Sequence, residues 1–446
     1  MMQRTLIGSA LAILLAPSMV GAAPFSPFEA RGFAMGGAGV ASSEYAAATL
    51  YNPALLAVSS NSNRFSFIAP ALGASVSGSE GAVDKMQKFN DNQSLQGFNN
   101  AATTYNGALS AYLNATSDPN AQNALNAAAN ALQTASDLLL TDLQSVNAKT
   151  FQVGAGGTFA IAVPKWDNKV AFSLSTEFFG RATTDVTSSD LNTIDTLVTK
   201  VVNATSEIIA ANGNLNGPEA SEVIAGGEVV LGGDNRKPTS RVHVLGAAVT
   251  DIGVSIARQI TLGEQQFMLG ITPKIQQVAT VAFEADVDTN EIEFSENKKT
   301  ATGFNIDVGV AKQFTEGRWQ NLRVGAVVRN LIPRTYKTMI PTQEVKVSPQ
   351  LRVGAAYQGS FYTLTSDLDV TANTVVGQGQ EQSQIWAVGG ELNGWNVAKF
   401  RLGYRNDLKS NYGAITAGLS LFGVQLSGAY AKDREASAVL QFSGTF

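Results

Sequence analysis

The chain has no cysteine and a single histidine, His243, among 446 residues. The absence of thiols removes disulfides, thiolate metal sites and cysteine nucleophiles together. One imidazole leaves no ligand pair for a zinc site and no spare general base. Charge is scarce as well: charged residues make up 15% of the chain, against about 25% in soluble domains. The net charge of −5 is spread over interspersed signs, so the basic footprint of a nucleic-acid binder is missing and nucleic acid is excluded as a partner. No window beyond the leader holds 18 uninterrupted apolar residues, so no helix of the mature chain spans a bilayer. If the protein lives in a membrane, it crosses as strands closed into a barrel, the one other form that satisfies every backbone group in lipid.

The chain does have glycine in abundance, 42 residues, and a leader. Arg4 precedes an apolar run from Thr5 to Leu15, then Pro17 and the small residues Val20 to Ala23. This reads as a signal peptide over residues 1–22, cleaved after Ala22 or Ala23, and its apolar part is too short for a membrane anchor.

Period-2 alternation is clearest at the carboxyl end. Phe446, Gly444, Phe442, Leu440, Ala438 and Ala436 share one parity, and Thr445, Ser443, Gln441 and Ser437 share the other, with Val439 the one exception. An apolar-out, polar-in strand ending on an aromatic is what closes an outer-membrane barrel, with Phe446 at the periplasmic girdle. Similar runs predict strands near 63–77, 149–163, 169–183, 240–257, 265–285, 302–314, 321–335, 347–358, 361–371, 383–393, 399–406, 411–421, 423–431 and 435–446. Fourteen is an even number, which puts both ends in the periplasm and alternates short periplasmic turns with longer outside loops. The expected fold class is all-β: an antiparallel transmembrane β-barrel of about 14 strands, over residues 62–446.

Two outside connections are too long for loops. Residues 93–147 read as a helical hairpin broken at Ser117–Asn120, with Leu125, Ala128, Leu132, Ala135 and Leu139 at seam spacing. Residues 187–212 read as a further amphipathic helix through Leu191, Ile194, Val198, Val201 and Ile208. These helices either pack on one another as a cap or present their apolar faces to a greasy ligand.

Ahead of the first strand, residues 23–61 carry Arg31-Gly32-Phe33-Ala34-Met35-Gly36-Gly37-Ala38-Gly39 and then Tyr51-Asn52-Pro53-Ala54-Leu55. Glycine at this density lets irregular backbone pack where side chains would not fit. No Gly-Lys-Ser/Thr follows, so this is not a phosphate-cradling loop. The two motifs resemble the start of the FadL-like outer-membrane barrels, and among them the plasmid conjugal transfer TraF-type proteins. The resemblance extends to Gly270-Ile271-Thr272-Pro273-Lys274, Arg329-Asn330-Leu331 and Leu402-Gly403-Tyr404-Arg405. It implies a plugged 14-stranded barrel through which hydrophobic molecules pass, with Arg31, Gly36, Gly37, Gly39, Asn52 and Pro53 in the plug.

Parity sends Asp307, Arg323, Arg329, Arg352, Asp367, Asp369, Arg401 and Arg405 into the lumen. A basic residue facing lipid at mid-depth would cost roughly 2–4 kcal/mol. These charges either neutralise one another and hold the plug, or line a polar route or bind a ligand headgroup. Pro70, inside the first strand, removes a ladder hydrogen bond and marks either a lateral opening to lipid or a bulge. No serine sits in G-x-S-x-G and His243 lacks a triad, so no enzyme, metal or cofactor is expected. The expected partners are outer-membrane lipid and a small hydrophobic molecule, or else transfer or secretion machinery.

Overall fold

The computed structural model describes residues 27–58, 65–79, 81–163, 169–230, 238–286, 297–341, 343–374, 382–393, 397–432 and 434–446. The expected leader lies outside these residues. Fourteen strands form one closed antiparallel barrel. In chain order they are β1 Ser66–Gly78, β2 Thr150–Val163, β3 Lys169–Asp185, β4 Arg241–Leu262, β5 Gln265–Asp286, β6 Lys298–Gln313 and β7 Leu322–Arg329. The second half comprises β8 Gln350–Gln358, β9 Tyr362–Asp369, β10 Ile385–Leu392, β11 Ala398–Asp407, β12 Tyr412–Leu421, β13 Val424–Ala431 and β14 Glu435–Thr445. Strand β1 closes the ring on β14, running from Ser66 opposite Thr445 to Ser77 opposite Glu435.

The outer surface follows the parity read from the sequence. Leu72, Ile252, Ile271, Phe304, Leu402 and Leu426 are exposed on it, while Thr272, Asn305, Asp307 and Arg401 on the alternate positions are buried. A soluble protein does not expose so continuous an apolar belt, and lipid is the solvent that covers it. Aromatic pairs flank the belt, Tyr357 on Tyr362 at 5.9 Å near the short turns and Trp386 on Tyr404 at 6.4 Å toward the other end. Strands β4 and β5 each run 22 residues, about twice what a tilted strand needs to cross. They extend past the membrane on the side of the long loops.

Beyond that rim lie α-helices with a core of their own. Between β1 and β2 run Ala82–Asn92, Ser94–Asn114 and Pro119–Val146, and Ser188–Ala210 follows β3. The last two of the first group start at Ser94 and Pro119, where the broken hairpin was expected; the Asp118 side chain accepts from the Asn120 amide at 2.8 Å to cap the second. Tyr105, Leu109, Leu125, Leu132 and Val201 are among the buried side chains that hold the helices together. The helix Ala82–Asn92 was not legible in the sequence, because only Ala82 and Phe89 of its residues are buried.

The expected strand 321–335 stops at Arg329. Asn330 takes a left-handed φ of 54° and its amide donates to Asp307 Oδ1 at 2.8 Å, which turns the chain off the wall. Arg334–Lys337 then pairs with Glu344–Val347 as a separate hairpin. Its Tyr336, Val345 and Val347 are buried against Phe179, Leu245, Ala247 and Val278, so this loop folds inward onto the lumen face of β3, β4 and β5.

Two predictions follow from this architecture. The Phe446 amide donates to the Phe65 carbonyl at 2.8 Å and its ring stacks on Phe67 at 6.1 Å, which ties the chain end to the first strand. Deleting Phe446 or replacing it with Asp should deplete the heat-modifiable folded band on gel electrophoresis several-fold. The second concerns the start of helix Ser188–Ala210. Burial raises the Asp190 carboxyl, but hydrogen bonds from Ser240 and Thr239 outweigh it, so its pKa lies below the ordinary 3.8. A carboxylate depressed in the folded state stabilises above its unfolded pKa, and that stabilisation is lost as pH falls through the folded value. Amide exchange at Thr239 and Ser240, corrected for the intrinsic rate, should therefore accelerate below pH 3.8, and Asp190→Asn should remove this pH dependence.

Candidate functional site

Inside the barrel, residues 27–58 form a buried plug. Its first helix, Ala30–Ala34, is one turn long and is held by its cap: the Glu29 carboxylate accepts from the amides of Arg31 at 3.1 Å and Gly32 at 2.7 Å. Gly36 and Gly37 follow with φ of 78° and 90°, a backbone that glycine adopts without strain. Tyr51 then packs back over the glycines, where a Cβ on Gly32 or Gly39 would meet its ring or hydroxyl at 2.2–2.4 Å. Asn52 joins three segments. Its Oδ1 accepts from the Ala54 amide at 3.1 Å, and its Nδ2 donates to the carbonyls of Val40 in the plug and Val310 in β6.

The wall has been cleared to receive this backbone. Gly270 stands opposite Gly309, Gly325 opposite Gly354, and Gly389 opposite Gly403, each pair facing inward across adjacent strands. A Cβ on Gly270 would lie 2.4 Å from the Pro53–Ala54 peptide, and on Gly309 2.0 Å from Asn52 Oδ1. One on Gly403 would lie 2.4 Å from Met35 carbonyl carbon. Of these wall glycines Gly270 and Gly403 stand in the motifs that carry the family resemblance, but none was read from the sequence as clearance for the plug. The available signal was their lumen parity in strands otherwise filled by side chains on that face.

Polar bonds then fasten the plug. Arg31 forms a two-pronged pair with Glu391, Nε at 2.9 Å and Nη2 at 3.0 Å, and Arg401 Nε reaches the same carboxylate at 2.6 Å. Asp367 Oδ2 accepts from the amides of Gly39 at 2.7 Å and Val40 at 2.9 Å. Arg352, 1% exposed, pairs with Asp369 at 2.6 Å and donates to the Gly37 carbonyl. Arg323 donates to the Ala41 carbonyl, and Thr416 Oγ1 accepts from the Gly36 amide while donating to the Ala34 carbonyl. Arg405 pairs with Glu435 and lies over the Phe33 ring at 5.2 Å. Asp307 is set apart: with Asp251 it holds Lys274, at 3.1 and 2.8 Å. Arg329 lines a cavity with Glu177, Asp251 and Asn330 beneath the inward hairpin.

Of the lumen residues expected from the sequence, Arg323, Arg352, Asp367, Arg401 and Arg405 thus converge on or beside the plug. Asp369 acts on it through Arg352, and Asp307 and Arg329 belong to the second cluster. Glu391, at the centre of the first network, was missed although it shares the lumen parity of Ala387 and Gly389. Pro70 lies at a one-residue bulge: two residues, Ala69 and Pro70, stand against one on each neighbouring strand, and both ladders resume at Ala71. Pro70 points outward and the wall is continuous there, so the lateral opening is absent from this conformation and the bulge takes its place. His243 lies at the outer end of β4, with Nδ1 3.2 Å from Glu284. No cluster of potential metal ligands occurs among the described residues.

A closed barrel with a lipid-facing belt and an anchored plug defines the class: a plugged barrel of the Gram-negative outer membrane. The chain belongs to the family described as F plasmid transfer operon, TraF, protein, whose profile matches residues 49–369. None of the curated proteins matches it. Among solved structures it is similar to the toluene transporter TbuX of Ralstonia pickettii, at 12% identity and a TM-score of 0.47, covering 95% of this chain and 99% of that one. It is also similar to the toluene transporter TodX of P. putida, at 10% identity and TM-score 0.46, covering 95% and 98%. A FadL homologue of Pseudomonas aeruginosa matches at 11% identity and TM-score 0.45, covering 96% and 99%.

Removing one partner of a buried ion pair strands the other, at about 3–5 kcal/mol. Glu391→Gln should therefore loosen the plug and open residues 31–45 to protease by roughly two orders of magnitude or more, since 1.4 kcal/mol is a factor of ten. Gly389→Val should displace the plug by steric contact with Met35 while the barrel keeps its heat-modifiable mobility. Unaltered cleavage in both variants would count against this anchoring.

Proposed function

We propose that the protein is a gated passage for small hydrophobic molecules across the outer membrane, with residues 27–58 as the gate. One observation carries the reading: the lumen is filled by a segment seated on glycine-cleared walls, whose Arg31–Gly39 part is held by ion pairs and hydrogen bonds while its Tyr45–Val58 part is packed into an apolar core with the wall. Polar bonds exchange with water at modest net cost, so the Arg31–Gly39 part releases more readily than the apolar part, which tethers it to the wall. A hydrophobic substrate would enter past the apolar cluster of Phe179, Leu245, Val278 and Tyr336 toward the outer mouth, which the inward hairpin closes in this conformation. The polar cavity beneath it would be the narrow stage of the route.

A second reading makes the chain a non-transporting envelope component of conjugative or secretion machinery. It is favoured by the plasmid-transfer description of its family and by the helical body with its own core beyond the rim.

Planar-bilayer recordings test the first reading. The intact protein should be mostly closed, Glu391→Gln should flicker, and a chain lacking residues 27–58 should conduct steadily. Cells carrying the loosened variant should take up a hydrophobic fluorescent probe several-fold faster. A plugless barrel that admits neither ions nor probe would overturn the passage, and a loss of plasmid transfer with unchanged uptake would favour the second reading.

A further inference from the structure

On the short-turn side of the plug, facing the periplasm, lies a cavity of about 330 Å³ that the anchoring network does not fill. Plug and wall share its lining: Ser42, Ser43 and Tyr45 come from the plug, Arg323 from β7, and Asn393 and Lys399 from the ends of β10 and β11. Apart from Val58 its walls are polar or charged, so a hydrophobic transport substrate has little to contact there.

The charges around it are unevenly matched. Glu391 is engaged by Arg31 and Arg401, and Glu44 by Lys399 at 2.7 Å and Arg31 at 3.6 Å. Arg323 is 4% exposed, yet among the described residues no carboxylate lies within ion-pair distance of it. Among the described residues two of its nitrogens reach only neutral acceptors, the Ala41 carbonyl and the amides of Gln313 and Gln358, and its Nε has no partner. The hydroxyls of Ser42, Ser43 and Tyr45, also buried, have no partner among the described residues, nor does Asn393 Oδ1. A buried guanidinium without a counter-charge is costly, and hydroxyl donors beside it add to the unmet demand. An oxyanion answers the donors among these groups at once, since a guanidinium fork and several O–H donors together recognise it, while Asn393 Oδ1, itself an acceptor, takes no part.

We propose that this cavity binds a small oxyanion, a carboxylate or a phosphate, between Arg323 of the wall and Ser42, Ser43 and Tyr45 of the plug. Because the ligand bridges plug and wall, it holds the plug in place. Ligand that binds only the seated plug shifts the equilibrium between open and seated plug toward the seated form by the factor 1 + [L]/Kd, about 100-fold at 100 times Kd.

The test uses the full-length protein in detergent micelles, with sodium phosphate and sodium acetate compared with sodium chloride at equal ionic strength. Titration calorimetry should show saturable heat with phosphate or acetate, and amide exchange in residues 39–45 should slow with it. Whichever salt acts identifies the oxyanion class. Arg323→Gln should abolish both effects, Arg323→Lys should retain part of the affinity, and Ser43→Ala or Tyr45→Phe should weaken it several-fold, each variant checked for heat-modifiable mobility. The Ser43 and Tyr45 variants decide the matter if Arg323→Gln does not fold. No saturable heat beyond chloride, or equal protection in the folded variants, would overturn the site. Conductance is not used, so a barrel that never opens but binds phosphate upholds the cavity and removes the gate.

Discussion

A backbone amide inside a bilayer has no water to turn to, so each must find its partner in the chain. In this protein that demand is met by the pairing of β1 with β14, which turns fourteen strands into a ring without edges. Much of the remaining architecture follows. Closure forces strict alternation, so side chains on one parity meet lipid and those on the other are confined to a lumen too narrow to leave charge fully hydrated. The Arg, Asp and Glu side chains on that face then need partners, and the plug supplies many of them.

The plug and the wall are complementary in two separate ways. Shape comes from glycine pairs such as Gly389 and Gly403, whose missing Cβ atoms admit the Met35–Gly36 backbone. Charge comes from Arg31, whose two bonds to Glu391 join residues 360 apart in sequence. To these Tyr45–Val58 add apolar packing against Ile68, Ala160, Ala257 and Met268 of the wall, so attraction comes from burial as well as from the ion pair. The periplasmic-side cavity is where this complementarity stops, with Arg323 on one side and, on the other, hydroxyls that have no partner among the described residues.

The exceptions to the alternation are instructive. Val439 breaks the polar parity of the last strand, and it is buried against Ala30 and Phe33 of the plug. Pro70, which suggested a gap in the wall, is absorbed by a bulge because both neighbouring strands can skip the same position. Asn330 ends β7 well short of where periodicity alone carried it, since the Val345–Val347 side of the following hairpin is buried inside the barrel and not in its wall.

Class of fold, strand number, the inward direction of many lumen charges and the starts of the helices Ser94–Asn114, Pro119–Val146 and Ser188–Ala210 were legible in the sequence. These depend on periods of 2 and 3.6 residues and on caps such as Asp118-Pro119, all of which act within a few residues of chain. Which lumen charges meet was settled only in three dimensions: that Glu391 joins Arg31 to Arg401, that Asp307 holds Lys274, and that Arg323 has no carboxylate within ion-pair distance among the described residues. Parity gives a side chain its direction, but not its height or its azimuth around the ring. Those are set by the cumulative register of many strand pairs and by the path of a plug with no period to read.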